Sequence, residues 1–198
     1  MDKKKSEKVK KKLKNSTVGI AGLGGLGSNA AISLARAGVG KFVLVDFDKV
    51  EEKNLDRQYY FLDQVGKLKV DATKDNIKKI STNVNVKTFN MKLIKGSMEK
   101  PFKDVDVVIE ALDNAETKAA FIEEILTKLK DKPIVAASGV AGYGHSDRIV
   151  TKKLGNLCMC YDELAKSSDD DILMAPRVIL MANWEANLVI EILLGEDK

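Results

Sequence analysis

The chain has 198 residues, of which 44% are apolar and 31% charged, values typical of an ordinary soluble domain. No apolar run reaches the roughly 20 residues that a membrane-spanning helix needs, and residues 1–14 are too polar for a signal peptide. A cytoplasmic protein without a membrane partner is therefore expected. Residues 1–14 carry eight lysines against Asp2 and Glu7, a net +6, whereas the whole chain carries +4, so residues 15–198 sum to −2.

This charge distribution predicts a basic N-terminal arm over residues 1–14 and a single domain over residues 15–198. A basic arm can bind nucleic acid, but a solvated helix or a frayed end is the favoured interpretation. No aromatic residue lies between the lysines to stack on bases. Nucleic acid is accordingly not expected as a partner.

The first elements predict a strand, a glycine turn, a helix and a second strand. The apolar run Thr17–Ala21 suits a buried strand, residues 28–37 have helical spacing, and residues 42–46 form a strand ending on the carboxylate of Asp46. The turn contains four glycines, namely Gly22, Gly24, Gly25 and Gly27. Such a unit binds phosphate at the start of its helix, because the glycines let backbone approach the anion, and Asp46 is placed to accept hydrogen bonds from a ribose.

The later elements predict an α/β fold, a Rossmann-like open and mostly parallel sheet wrapped by helices. Helices are expected over residues 65–80 and 116–129, and strands over residues 84–89, 104–111 and 133–137. Residues 143–153 and 156–160 predict further strands, of antiparallel type, and residues 162–171 a polar loop. An apolar helix begins near Pro176 and ends at Gly195. Because it is apolar on nearly every side, we expect it to pack partly on the sheet and partly on a second subunit.

Candidate binding residues follow the carboxyl ends of the predicted strands, where open parallel sheets bind ligands. They are Asp46, the loop that holds Asn54, Arg57 and Gln58, then Lys69 and Asp113. One ribose acceptor, two cations and a further carboxylate match ATP with Mg²⁺ better than a nicotinamide. The alternative is that Arg57 only pairs with Asp56 or Asp63 and that Lys69 is a solvated helix lysine.

At these positions the sequence resembles the ThiF/MoeB/HesA family, which is related to ubiquitin-activating enzymes. The resemblance covers roughly residues 18–195. Within the family, the sequence looks most like the short ThiF-like sulfur-carrier adenylyltransferases of thiamine synthesis. The matching segments are GLGGLGS at 22–28, ARAGVG at 35–40, VDFDKV at 45–50, NLDRQ at 54–58, GKLK at 66–69, ALDN at 111–114 and MAPRV at 174–178.

The resemblance implies an ATP-dependent adenylyltransferase. Its substrate would be a ubiquitin-like sulfur carrier protein whose C-terminal Gly-Gly carboxylate attacks the α-phosphate of ATP and releases pyrophosphate. The implied roles are ribose binding by Asp46, phosphate contacts by Asn54, Arg57 and Lys69, support of that loop by Gln58, and Mg²⁺ binding by Asp113. A homodimer is also implied.

Many relatives bind a structural zinc with two CxxC pairs, which provide the four ligands of a tetrahedral site. This chain has only Cys158 and Cys160, so zinc is not expected. It also has no cysteine over residues 161–175, where some relatives carry a nucleophile. Burial of Cys158 and Cys160 as small apolar residues is favoured over catalysis.

Three other functions remain as hypotheses. The glycine turn and Asp46 alone would suit a nicotinamide oxidoreductase, although no acid–base pair for hydride transfer is evident. A catalytically silent scaffold could bind a nucleotide and a partner protein. A transfer-RNA adenosine dehydratase would use similar motifs, and the lysine-rich arm is compatible with it.

Overall fold

The computed structural model describes residues 3–166 and 170–195, which form a seven-stranded sheet with helices on both faces. The strands are β1 (Thr17–Ala21), β2 (Lys41–Asp46), β3 (Asn85–Asn90), β4 (Val107–Glu110), β5 (Ile134–Ser138), β6 (Val150–Leu154) and β7 (Leu157–Tyr161). The α-helices are α1 (Lys3–Asn15), α2 (Gly25–Ala37), α3 (Lys69–Ile80), α4 (Ala115–Lys128) and α5 (Ala175–Leu194).

The strand order is β3-β2-β1-β4-β5-β7-β6. All neighbouring pairs are parallel except β6 and β7, which are antiparallel to each other, so only β6 runs against the rest. This confirms the Rossmann-like, mostly parallel sheet with antiparallel pairing toward the C-terminus. The sheet places the loops that follow β1, β2, β4, β5 and β7 at one edge, where a ligand can contact several of them.

Alternating residues of the central strands serve two cores, one on each face of the sheet. On one face Ile20 and Leu44 pack with residues of α2, α3 and α5. On the other face Val43 and Val108 pack with Phe121 of α4. Both faces are therefore covered, which explains why these strands read as continuous apolar runs.

Three predicted elements are shorter in the structure than in the sequence analysis. Helix α3 begins at Lys69 instead of residue 65, because Gly66 has a φ of +87° and turns the chain before the helix. Strand β4 begins at Val107, because the chain before it is still in the turn that follows a short 3₁₀ helix (Lys100–Phe102), where the N–H of Val105 donates to the carbonyl of Phe102 at 3.4 Å. The strand predicted from residue 143 begins at Val150, after a turn that includes left-handed Gly144.

The terminal helices pack against each other. Helix α1 contains most of the predicted basic arm, and its Leu13 and Val9 join the core beside α5. Helix α5 packs mainly on α2 and also contacts α1, β4, β5 and β7. Its apolar surface is thus largely covered within one chain. The homodimer predicted from that surface stays a prediction.

The polar loop and the question of a membrane-spanning helix depend on which residues the structure describes. The polar loop predicted over residues 162–171 includes residues 167–169, which lie outside the part of the chain that the structure describes. Over 3–166 and 170–195, no helix combines the length and apolar character needed to span a membrane.

Candidate functional site: a cavity at the carboxyl edge of the sheet

A cavity of about 1000 Å³ lies at the carboxyl edge of the parallel strands. It is bordered by the turn after β1, the loops after β2, β4, β5 and β7, and the start of α5. Most of the site residues predicted from the sequence line it, namely Gly22, Gly24, Gly25, Asp46, Arg57, Gln58, Lys69 and Asp113. Gly27 and Asn54 are not among its described lining residues. The topology has therefore brought together groups that are up to 91 positions apart in the sequence.

The glycine turn packs so closely against its neighbours that two of its positions have no room for a side chain. Gly22 has a φ of +89°, and a Cβ there would lie 2.5 Å from the carbonyl oxygen of Ala111. A Cβ on Gly27 would lie 1.9 Å from the carbonyl oxygen of Gly22, so Gly27 lets α2 pack directly on the turn. Helix α2 starts at Gly25 without a side-chain cap. Its first N–H groups are thus available to an anion in the cavity.

Asp46 is tied to the glycine turn. One of its carboxylate oxygens accepts a hydrogen bond from the backbone N–H of Leu23 at 2.6 Å, and the other accepts from the N–H of Asp48 at 2.8 Å. Burial raises the pKa of Asp46, while these backbone hydrogen bonds oppose the rise. Each oxygen keeps a second lone pair. The carboxylate can therefore hold the turn and accept a ribose hydroxyl at the same time.

The two predicted cations border the cavity, and both are held by acidic partners. Lys69 is only 6% exposed, and its ammonium lies 2.9 Å from a carboxylate oxygen of Asp48. Arg57 pairs with Asp56 at 2.7 Å and donates to the carbonyl of Lys53 at 3.1 Å. The pairing of Arg57 with Asp56 was the alternative considered in the sequence analysis. In the structure Arg57 forms this ion pair and also lines the cavity.

The loop that carries Arg57 is built by residues that do not line the cavity. The side-chain oxygen of buried Asn54 accepts a hydrogen bond from the backbone N–H of Glu51 at 3.1 Å. The backbone carbonyl of Asn54 accepts a hydrogen bond from the N–H of Gln58 at 2.9 Å. Asn29 of α2 donates to the carbonyl of Arg57 at 3.0 Å. Asn54 and Asn29 thus shape the loop and fasten it to α2. Asn29 was missed because nothing in its local sequence indicates a distant carbonyl partner.

Gln58 contributes an unpaired polar atom to the site. Its side chain lines the cavity, and its Oε1 is buried without a hydrogen-bond partner among the described residues. Unpaired buried polar atoms are uncommon in folded proteins.

Asp113 lies in the turn between β4 and α4, exposed to the cavity. Two residues that the sequence analysis missed lie behind it. Glu110, the last residue of β4, is fully buried, forms an ion pair with Lys118 and accepts a hydrogen bond from the N–H of Leu112 at 2.8 Å. Burial raises the pKa of Glu110, and the charge of Lys118 opposes that rise. Lys118 itself borders the cavity.

A second ionic cluster supports the opposite wall. Buried Arg177, near the start of α5, binds Asp162 at 2.7 Å and the carbonyls of Gly139 and Gly144 at 3.1 and 2.9 Å. Arg148 also pairs with Asp162, at 3.2 Å. The cluster fastens the loops after β5 and β7 to α5. Its members lie far apart in the sequence, so no local pattern indicates it.

The described residues, 3–166 and 170–195, contain no group of three or more His, Cys, Asp or Glu side chains arranged to hold a metal ion. Cys158 and Cys160 are both buried in the core on one face of β7. Burial raises the pKa of both thiols. Since the thiolate is the nucleophile and the metal ligand, this environment disfavours both kinds of chemistry at these cysteines.

The chain is similar in sequence to proteins of several organisms. It is 34% identical over 161 residues to the adenylyltransferase and sulfurtransferase MOCS3 of Caenorhabditis briggsae, covering 81% of this chain and 39% of that protein. It is 40% identical over 131 residues to the tRNA threonylcarbamoyladenosine dehydratase of Bacillus subtilis, covering 65% and 51%. The chain thus spans about two fifths to one half of these relatives.

Solved structures share the fold. The E. coli tRNA N6-threonylcarbamoyladenosine dehydratase TcdA in complex with AMP superposes with a TM-score of 0.86 at 20% identity, covering 94% of this chain and 89% of that one. E. coli MccB with ATP gives 0.73 at 24% identity, covering 93% and 57%. The ThiF family model matches residues 3–198, nearly the whole sequence. The glycine turn, the cavity residues and this match together establish that the chain belongs to the ThiF family.

Proposed function

We propose that this chain is an ATP-dependent adenylyltransferase. It activates the C-terminal Gly-Gly carboxylate of a ubiquitin-like sulfur carrier protein and releases pyrophosphate, with sulfur transfer of the thiamine type as the favoured context. The observation that carries the proposal is the cavity itself. In it a free helix N-terminus, a ribose-type acceptor at Asp46 and the cations Arg57 and Lys69 face the same space as Asp113.

The cavity supplies what this reaction needs. Carboxylate and phosphate are both negative, so the protein must neutralise charge and hold the two groups in line. In this proposal the glycine turn and the start of α2 receive phosphate, and Asp46 binds the ribose. Arg57 and Lys69 lie on the cavity wall, where acidic partners fix their orientation. Such prior fixation lowers the reorganisation needed when charge develops in the transition state.

Asp113 fits a magnesium ion that arrives with the nucleotide. Mg²⁺ is commonly bound by one or two carboxylates together with substrate phosphates and water. Asp113 offers an exposed carboxylate at the cavity edge, and Asp46 and Asp48 also line the cavity. When bound, Mg²⁺ would neutralise phosphate charge. Asp113 would hold it, while Arg57 and Lys69 would hold the remaining phosphate oxygens.

A carrier protein as acceptor is supported by the resemblance in the sequence motifs and by the relative named adenylyltransferase and sulfurtransferase MOCS3. We also propose that residues 15–198 act as one adenylation domain and that the chain forms a homodimer. Size-exclusion chromatography with light scattering tests the homodimer, since a monomer of 21.7 kDa and its dimer are readily separated.

A tRNA dehydratase is the second candidate. It is favoured by the 40% identity to the Bacillus subtilis dehydratase and by the exposed lysines of α1. This candidate predicts a salt-sensitive gel shift with tRNA, because lysine–phosphate contacts release counterions. Binding of tRNA together with failure to activate any carrier would favour the dehydratase over the carrier-activating enzyme.

The direct test is exchange of labelled pyrophosphate into ATP in the presence of a purified Gly-Gly-ended carrier from the same genome. We expect exchange with the wild type and a loss of about a hundredfold or more in Asp113→Ala. Asp131→Ala is the matched control, because Asp131 is exposed and is not among the residues of the cavity wall. If no carrier supports exchange although ATP stabilises the protein against heat, the proposal is wrong, and the gel shift with tRNA then separates a dehydratase from a nucleotide-binding scaffold.

A further inference from the structure

The ion pair between Glu110 and Lys118 lies directly behind the turn that carries Asp113. Glu110 ends β4, which is flanked by β1 and β5 in the middle of the sheet, and its side chain is 0% exposed. A carboxylate at such a place is costly unless it is paired and hydrogen-bonded. An apolar residue would fill the position at lower cost. The carboxylate therefore calls for a reason other than packing.

The two oxygens of Glu110 connect three segments. Oε1 accepts a hydrogen bond from the backbone N–H of Leu112 at 2.8 Å, and Oε2 pairs with the ammonium of Lys118 in the first turns of α4. That ammonium also donates to the carbonyl of Ala137 in β5 at 3.2 Å. Asp113 follows Leu112 directly and lies between the two points at which Glu110 holds the chain.

We infer that Glu110, held by Lys118, is a positioning residue that sets the β4–α4 turn so that Asp113 meets the phosphates and the metal ion of the bound nucleotide. The inference rests on the proposed function, since it concerns the same cavity. It differs from a purely structural role in one respect. In this inference the buried carboxylate of Glu110 is retained, despite its unfavourable burial, because it orients Asp113 toward the cavity.

Glutamine has nearly the shape of glutamate but cannot make both contacts. Its single side-chain oxygen can accept either from Leu112 or from Lys118, and its amide nitrogen is a donor that faces another donor. In Glu110→Gln, either the turn or the lysine loses its partner. Asp113 should then be held less well, although the volume of the buried side chain is almost unchanged.

Glu124 provides a matched control. It is a buried carboxyl group of α4 that pairs with Lys128 at 2.8 Å. Its oxygens also accept hydrogen bonds from the backbone N–H groups of Gly96 and Met98, at 2.7 and 2.8 Å. Neither Glu124 nor Lys128 is among the residues that line the cavity. Glu124→Gln therefore tests the general effect of neutralising a buried, lysine-paired carboxylate away from the β4–α4 turn.

The experiment measures ATP affinity by titration calorimetry, with Mg²⁺ and with EDTA, without any acceptor. We expect the gain in affinity that Mg²⁺ confers to fall about tenfold in Glu110→Gln, with affinity in EDTA changing less than about twofold. Glu124→Gln should keep the wild-type gain. Asp113→Ala should lose the gain, and the double substitution Asp113→Ala with Glu110→Gln should lose no more, because both act through one group.

Two further variants keep the inference testable if Glu110→Gln is poorly folded. Lys118→Arg retains the positive charge and should keep most of the magnesium gain, whereas Lys118→Met should lose it. Hydrogen exchange of the Leu112 amide, which is bonded to Glu110, should accelerate in Lys118→Met and much less in Lys118→Arg.

The outcomes separate the two claims. If the wild type binds ATP equally well with Mg²⁺ and with EDTA, the magnesium site of the proposed function is wrong and this inference fails with it. If the wild type shows the gain and Glu110→Gln retains it in full, only the positioning role is overturned. Equal losses in Glu110→Gln and Glu124→Gln would also overturn it, because a general effect of buried charge would then suffice.

Discussion

Two alanine substitutions in the glycine turn should have different effects, one on the stability of the fold and the other on nucleotide binding. A Cβ on Gly27 would lie 1.9 Å from the carbonyl oxygen of Gly22, about 1.5 Å short of an ordinary contact of 3.4 Å. That carbonyl cannot move easily, since the N–H of Leu23, in the same peptide unit, is bonded to the carboxylate of Asp46 at 2.6 Å. A Cβ on Gly24 would meet only the side-chain nitrogen of Gln58, at 3.8 Å. The first substitution should damage the fold and the second should not.

We expect Gly27→Ala to lose about 3 kcal/mol or more of unfolding free energy, as severe overpacking does. For a chain of this length that lowers Tm by about 6–12 °C. Gly24→Ala should stay within about 1 kcal/mol of the wild type. Its methyl group would instead stand where phosphate approaches the backbone, and we expect ATP affinity to fall about tenfold.

Thermal unfolding with and without saturating Mg²⁺ and ATP measures both effects in one assay. At fixed ATP, a tenfold loss of affinity removes about 1.4 kcal/mol of ligand stabilisation, which reduces the ATP-induced rise in Tm by about 3–6 °C. Gly24→Ala with a wild-type rise in Tm would refute phosphate binding at this turn. Gly27→Ala with a wild-type Tm would refute the close packing of α2 on it.

Two further predictions concern buried titratable groups. Burial raises the pKa of Glu185 well above its ordinary 4.5, so the folded state holds the proton more tightly than the unfolded state, and wild-type stability falls as pH rises above that value. The unfolding free energy of Glu185→Gln, measured in urea relative to the wild type, should therefore be higher at pH 7 than at pH 5, by at most about 2.7 kcal/mol for one proton over two pH units. A difference independent of pH would contradict this. Because burial also raises the pKa of Cys158 and Cys160, iodoacetamide at pH 8 should label the native protein at less than about a tenth of the rate in denaturant. Equal rates, followed by mass spectrometry, would show that the thiols are accessible.

Local pattern was sufficient for the main elements of the fold. The run Thr17–Ala21, the glycines after it and the carboxylate of Asp46 predict one crossover unit, because strand and helix periods and glycine turns act over a few residues. Parallel strands then bring their carboxyl ends to one edge, so the convergence of Asp46, Lys69 and Asp113 on one cavity followed from topology. Element boundaries were less accurate, since the turns before helix α3, at Gly66, and before strand β4, between Phe102 and Val105, do not show in the apolar pattern of the elements they precede.

The sequence by itself determined the order of strands and helices along the chain, the glycine turn and the identity of most of the side chains that we propose bind a nucleotide. Only the tertiary structure decided which charged residues are buried and what holds them. Glu110 with Lys118, and Arg177 with Asp162, occupy positions where a sequence pattern would equally allow solvated side chains. The physical reason is that the cost of burying a charge is offset by one specific partner, and that partner is brought near by the packing of separate elements.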